Sequence, residues 1–150
     1  MWPIFTRFAQ EGLPVLNLEA IRAKRISREA RTKWMLYAYG EEAGNAIMRD
    51  NEGDFLSWEE QKRRIERTQA RFDEIRACIE ALPPFERVRA TLQTLGAPLT
   101  PQDCGIDREL LNLSMQCAKD YRTRYTLFKT LDECSLLEEY LKDYPVDWKA

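Results

Sequence analysis

The chain has 150 residues, of which 44% are hydrophobic and 32% charged, with a formal net charge of -2. That length suffices to bury a core, and the charge lacks the basic surplus that phosphate neutralisation asks of a nucleic-acid binder. No apolar run approaches the roughly 20 residues that span a bilayer. The apolar start, Met1-Trp2-Pro3-Ile4-Phe5, gives way at once to Arg7, Gln10 and Glu11, unlike the long apolar core of a secretory signal. The expectations are a soluble cytoplasmic chain with neither nucleic acid nor membrane as partner.

Few glycines (6), scattered prolines (7) and dense Leu, Glu, Arg and Ala predict helices throughout. There is no alternating strand pattern and no internal repeat. Residues 2–11 read as a helix ended by Gly12 and Pro14. Asn17 reads as the N-cap of a short helix, Leu18 to Lys24. Ser27 caps the next, which carries Trp34, Leu36, Tyr37 and Tyr39 before Gly40. A continuation with Ala43, Ala46 and Ile47 runs to Asp50, and Asn51-Glu52-Gly53-Asp54 reads as a loop.

Ser57-Trp58-Glu59-Glu60 is a capping box, in which serine accepts an orphan amide and the glutamate reaches back. It opens a long helix to Leu82, with Trp58, Ile65, Phe72 and Ile79 at seven-residue spacing and Ile75 and Leu82 in the companion seam. Glu59 with Arg63 and Glu60 with Arg64 have the favourable i, i+4 spacing for ion pairs. Leu82-Pro83-Pro84 stops this helix and starts another, with Pro84 in its first turn. Val88, Leu92 and Leu95 form its apolar face, and Gly96 is its C-terminal cap. Thr100-Pro101-Gln102-Asp103 opens one helical turn closed by Gly105. Asp107 caps a further long helix to about Glu133, broken near Arg122. Ser135-Leu136-Leu137-Glu138 reads as a second capping box, opening a last helix that ends before Pro145, with Val146 to Ala150 as a loose tail.

The chain contains no histidine. This removes the commonest transition-metal ligand and general acid/base, and excludes a nucleophile–histidine pair within these residues. Cys78, Cys104, Cys117 and Cys134 include no Cys-x-x-Cys pair, and Cys78 and Cys117 read as small buried hydrophobes. The basic run Lys62, Arg63, Arg64, Arg67 and Arg71 interleaves with Glu59, Glu60, Glu66, Asp73 and Glu74, so it reads as a solvated face. Adjacent carboxylates such as Glu41-Glu42 and Glu138-Glu139 diverge by about 100° on a helix and do not grip one ion. Trp34, Tyr37 and Tyr39 read as core packing. Arg122-Thr123-Arg124-Tyr125-Thr126 is the segment densest in polar function, and either arginine has the fork to hold an anion or a carboxylate.

Gly96-Ala97-Pro98-Leu99-Thr100-Pro101-Gln102-Asp103-Cys104-Gly105-Ile106-Asp107 resembles the GAP-x-TP-x-x-x-GI stretch of sn-glycerol-1-phosphate dehydrogenases and their bacterial AraM-like relatives. Arg122-Thr123-Arg124-Tyr125-Thr126-Leu127 resembles the R-x-RYT-x-L stretch that follows. Phe72-Asp73-Glu74-Ile75-Arg76 through Leu82-Pro83-Pro84 fits as well, as does Leu18-Glu19-Ala20-Ile21-Arg22 leading to Tyr39-Gly40. Order and spacing agree over roughly residues 15–142. The resemblance implies a fold of the iron-containing alcohol dehydrogenase and dehydroquinate synthase kind. There, a Rossmann-like domain binds NAD(P)H and a helical C-terminal domain carries an Asp-His-His site for a divalent metal, commonly zinc. The metal polarises the carbonyl of dihydroxyacetone phosphate for hydride transfer.

The glycine-rich nucleotide loop, the aspartate-bearing metal segment and the HG-x-x-V stretch of that family have no counterpart among these residues. In motif order, Met1 falls just after the position of the last histidine ligand. The expectation is therefore an all-α multi-helix bundle, resembling the C-terminal domain of dehydroquinate synthase-like enzymes. Residues 1–150 would form a single helical domain, with N-terminal helices in 1–56, the long helix and C-terminal helices in 57–144, and a loose tail in 145–150. No catalytic, cofactor-binding or metal residue is carried over, and no cofactor is expected for the chain by itself. Arg122, Arg124 and Tyr125 are the candidates for contact with a phosphate or with another domain. An uncovered apolar face would favour self-association or a partner chain. The alternative function is a stand-alone helical protein-interaction module on the same scaffold.

Overall fold

The computed structural model describes residues 2–142, and these are helical with no strand among them. In chain order the helices are α1 (Trp2–Glu11), α2 (Leu18–Ala23), α3 (Arg28–Tyr39), α4 (Glu41–Asp50), α5 (Trp58–Ala70), α6 (Phe72–Glu80), α7 (Phe85–Thr94), α8 (Arg108–Cys117), α9 (Leu127–Glu133) and α10 (Leu137–Lys142). Single 3-10 turns lie at Glu52–Asp54, Gln102–Cys104 and Ala118–Asp120. No helix among the described residues is long and apolar enough to cross a membrane. The expected end of the last helix before Pro145 and the tail from Val146 to Ala150 lie outside the described residues.

Local side-chain chemistry sets most boundaries. Asn17, Ser27 and Asp107 each accept the amide three residues on, at 3.0, 3.1 and 2.8 Å, and Ser57 with Glu60 closes the reciprocal capping box. Each such cap contributes about 1 kcal/mol. Pro84 stands as the residue just before α7 rather than inside its first turn. At the other end of α7, Gly96 has φ +64°. The Gly96 and Ala97 amides return to the Gln93 and Leu92 carbonyls at 3.0 Å each, which is a Schellman stop.

Further local expectations are corrected. The helix expected from Trp58 to Leu82 breaks at Arg71, which leaves α-helical dihedrals at φ -115°, ψ 21°. A strict seven-residue repeat drifts around a straight helix by about 20° per heptad. The break lets Ile65 stay with α9 while Phe72 turns onto Phe8 of α1, edge to face at 5.2 Å. Ser135 is not an N-cap. It sits at φ +57°, and the Ser135 and Leu136 amides bond the Asp132 and Leu131 carbonyls at 2.9 and 2.8 Å. It therefore closes α9 in the left-handed position that glycine usually takes, and Leu136 rather than Ser135 precedes α10.

Cys78 is exposed, because α6 turns Phe72, Ile75 and Ile79 to the core; Cys117 is buried as expected, and all four thiols are free. Trp34 and Tyr37 do not pack in a core. They stack on each other at 5.7 Å, with Tyr37 well exposed, while Tyr39 meets Tyr121 at 6.1 Å.

Two apolar clusters result. The larger gathers Ile4 and Phe8 of α1, Ile21 of α2, Ile65 of α5, Phe72 of α6, Phe128 and Leu131 of α9, and Tyr140 of α10. The smaller joins Met35 of α3, Ile47 and Met48 of α4, and Cys117 of α8. Gly44 permits the α3–α4 approach: a Cβ there would stand 2.9 Å from the Met35 carbonyl. Helix α7 belongs to neither cluster and buries no residue.

Candidate functional site

Between the two apolar clusters lies a polar joint, and the segment from Ala118 to Thr126 passes over it. The helix expected to run from Asp107 to Glu133 stops at Cys117 and resumes at Leu127, where Thr126 caps α9. The break lies where the sequence places it, around Arg122, and spans the whole of 118–126.

A network of buried charges surrounds the break. Asp120 is 2% exposed and takes Arg31 on one carboxylate oxygen and Lys119 on the other, the latter at 2.7 Å. Lys119 also lies 3.6 Å from Asp132. Lys129, with a side chain only 6% exposed, donates to Asp54 at 2.5 Å, to the Arg122 carbonyl at 3.0 Å and to the Asn51 side chain at 3.3 Å. Asn51 in turn donates to the Ile47 and Asp120 carbonyls at 2.9 Å each. Three cations and three carboxylates thus balance across α3, the 3-10 turn Ala118–Asp120, α9 and the turn after α4. Buried charges persist only when paired and hydrogen-bonded in this way.

Arg122, Arg124 and Tyr125 do not converge. The Arg122 guanidinium lies over the Tyr121 ring at 5.3 Å, and its backbone carbonyl serves Lys129. Arg124 is exposed and makes no ion pair with any described residue. Tyr125 turns toward α5: its hydroxyl donates to Glu133 at 2.7 Å, Arg64 takes the other Glu133 oxygen at 3.0 Å, and the Arg64 guanidinium covers the Tyr125 ring at 5.4 Å. Burial pushes both the Tyr125 phenol and the Glu133 carboxyl up from their ordinary values. Tyr125 therefore stays protonated and acts as a donor, pinning the segment to α5. Of the three candidates, Tyr125 has its hydroxyl engaged, while the exposed side chains of Arg122 and Arg124 make no ion pair with any described residue.

The other candidate motif is self-contained. Asp103 accepts the Leu99 and Thr100 amides at 2.9 and 2.8 Å, its own amide donates to Thr100 at 3.3 Å, and Gly105 closes the turn at φ +68°. The backbone bonds hold the carboxyl of Asp103 below its usual range. These bonds shape the stretch into a turn.

A cleft of about 680 Å³ opens between α8 and α10. Arg108, Asn112, Gln116 and Lys119 line one wall, Leu137 and Leu141 the other. Among the described residues no three His, Cys, Asp or Glu side chains converge to hold a metal ion.

Lys129, Asn51 and Asp120, which organise the joint, do not stand out in the sequence. The one available signal is Lys129 itself, a charge inside the apolar run Leu127-Phe128-Lys129-Thr130-Leu131. A cation in the apolar half of a helix needs a buried partner.

Comparison with known proteins gives a partial likeness. Over 74 residues, 49% of this chain, it is 38% identical to a glycerol-1-phosphate dehydrogenase [NAD(P)+] of Geobacillus thermodenitrificans (strain NG80-2). It is 35% identical over the same length to the enzyme of that name from Geobacillus stearothermophilus. The aligned stretch spans 18% of each relative. No family model and no solved structure matches the chain. The chain thus contains a region related to glycerol-1-phosphate dehydrogenase.

Proposed function

We propose that this chain is the helical portion of an oxidoreductase resembling glycerol-1-phosphate dehydrogenase, inactive by itself. The supporting observation is the 38% identity over 74 residues to such an enzyme, carried on a chain without strands among its described residues and without histidine. The resemblance implies metal-ligand histidines and a nucleotide-binding domain. These 150 residues offer neither, so hydride transfer would need them from another polypeptide segment. What the chain contributes in this reading is a rigid scaffold. The polar joint fixes 118–126, Tyr125 ties it to α5, and Arg124 faces outward to meet a phosphate or a neighbouring domain.

Isothermal titration of the purified chain with zinc, and separately with NADPH, tests the reading. No stoichiometric binding of either is expected. Tight one-to-one zinc binding would overturn the claim that the metal site lies elsewhere.

One observation favours the second reading, a helical interaction module. Phe85 (43%) and Leu92 (37%) of α7 are exposed seven residues apart, with Leu95 (74%) at the C-terminal cap three residues on and Leu99 (37%) just beyond the helix. Such a stripe is the seam a partner helix uses. Sedimentation velocity at rising concentration tests it: self-association abolished by Leu95→Asp supports the module, and a monomer at all concentrations counts against self-association.

A further inference from the structure

The i, i+4 spacing on α5 pairs Glu59 with Arg63 and Glu60 with Arg64, and the structure forms neither pair. Glu60 is turned back to the start of its own helix, where one carboxylate oxygen accepts the Ser57 amide at 2.9 Å and the Ser57 hydroxyl at 2.7 Å. Arg64 crosses instead to Glu133 and the Tyr125 ring. Arg63 and Arg67 form no close ion pair with a carboxylate among the described residues. The capping box and the Tyr125–Glu133 pair thus draw Glu60 and Arg64 out of the direct pair that the sequence spacing supplies, although the Glu60 carboxylate still feels the Arg63 and Arg64 charges.

These three guanidinium groups line a recess of about 240 Å³, with Leu56 and Glu60 as its remaining walls. The Leu56 backbone is itself held, because its carbonyl accepts from Arg25 at 2.5 Å. Arg64 is fixed by a carboxylate and a ring, so its fork is pre-oriented and little side-chain freedom remains to be lost on binding. Arg63 and Arg67 lie four apart on one helix face and flank it. Arg63, Arg64 and Arg67 stand against Glu60 in the lining and against Glu133, the partner of Arg64, which leaves one positive charge in surplus at the recess, although the chain as a whole carries -2.

We propose that the Arg63–Arg64–Arg67 recess binds a small phosphate-bearing anion. A tetrahedral dianion offers several acceptor oxygens to planar forks, and paired N–H···O bonds from arginine are the strongest of the neutral-pH options. The recess has room for one phosphate group and a small organic part against Leu56, which separates it from an extended polyanion track. This inference does not depend on the relation to glycerol-1-phosphate dehydrogenase, since it rests on α5 and its own neighbours.

The test is a titration of the isotope-labelled full chain with inorganic phosphate, followed by amide and arginine side-chain resonances. Saturable shifts confined to Arg63, Arg64, Arg67 and Leu56 are expected. Arg63→Gln and Arg67→Gln should each weaken binding about tenfold, while Arg89→Gln on α7 should leave it unchanged. Thermal melts of the variants verify that the fold is kept. Phenyl phosphate distinguishes the source: tighter binding than inorganic phosphate assigns a monoester, weaker binding assigns free phosphate, and both retain the site. Shifts that rise linearly without saturating, an equal loss in Arg89→Gln, or acetate binding as tightly as phosphate would overturn the proposal.

Discussion

The Lys129 ammonium lies 2.5 Å from the Asp54 carboxylate, with the lysine side chain 6% and the aspartate 21% exposed. This pair joins α9 to the turn after α4 and, through the Arg122 carbonyl, holds the irregular segment over the joint. Removing one member of a buried pair strands the other. Lys129→Met should therefore cost about 3 kcal/mol, read as a fall in urea midpoint. It should also speed amide exchange in 121–126 more than in α1. An unchanged exchange pattern would mean the segment is held by something else.

Ser135 carries a left-handed backbone that an L-residue enters at a cost of roughly 1–2 kcal/mol. Ser135→Gly should stabilise the chain by about 1 kcal/mol, and Ser135→Val should destabilise it. Thermal melting of the two variants beside the parent decides this. A glycine variant no more stable than the parent would show that the serine is not strained.

Gly44→Ala improves helix propensity by up to about 1 kcal/mol, yet its Cβ would meet the Met35 carbonyl at 2.9 Å and Leu36 at 3.1 Å. Backbone atoms cannot move aside like a side-chain tip. Pushing α3 and α4 apart should win, leaving a net loss of about 1–2 kcal/mol. Denaturant melts measure it, and a stabilised variant would contradict the close approach.

Burial raises the Glu133 carboxyl above its ordinary 4.5, against the lowering effects of Tyr125 and Arg64. A carboxyl raised by folding binds its proton better folded than unfolded. Its contribution to stability is full below the unfolded value and is lost as pH rises through the folded one. Glu133→Gln, which cannot ionise, should therefore gain in stability relative to the parent as pH rises from about 4 to 7. Paired denaturation curves at those two pH values test the sign, and a relative loss over that range would reverse it.

Much of the fold was legible because helix ends are local. Asn17, Ser27, Ser57 and Asp107 cap where their type and spacing say, since the bond each makes lies within one turn. What escaped depends on distant partners. Arg71 breaks a helix with neither glycine nor proline, because Phe72 is claimed by Phe8 across the core. Ser135 mimics a capping box, while Leu136 is drawn into the cluster with Leu131. The candidate arginines were legible as residues but not as a site. Arg122 gives its backbone to a lysine that periodicity alone would have left exposed, and Arg64 trades its sequence neighbour for Glu133.

The most direct test of the central claim, that this chain supplies helical scaffold of the glycerol-1-phosphate dehydrogenase kind, is a segment exchange. The 74 residues of the Geobacillus thermodenitrificans enzyme that align with this chain are replaced by this chain's own, and NAD(P)-dependent oxidation of glycerol 1-phosphate is measured. The account predicts a folded chimera that retains turnover. A chimera that fails to fold, or that folds with a native circular-dichroism spectrum and has no turnover, would contradict it.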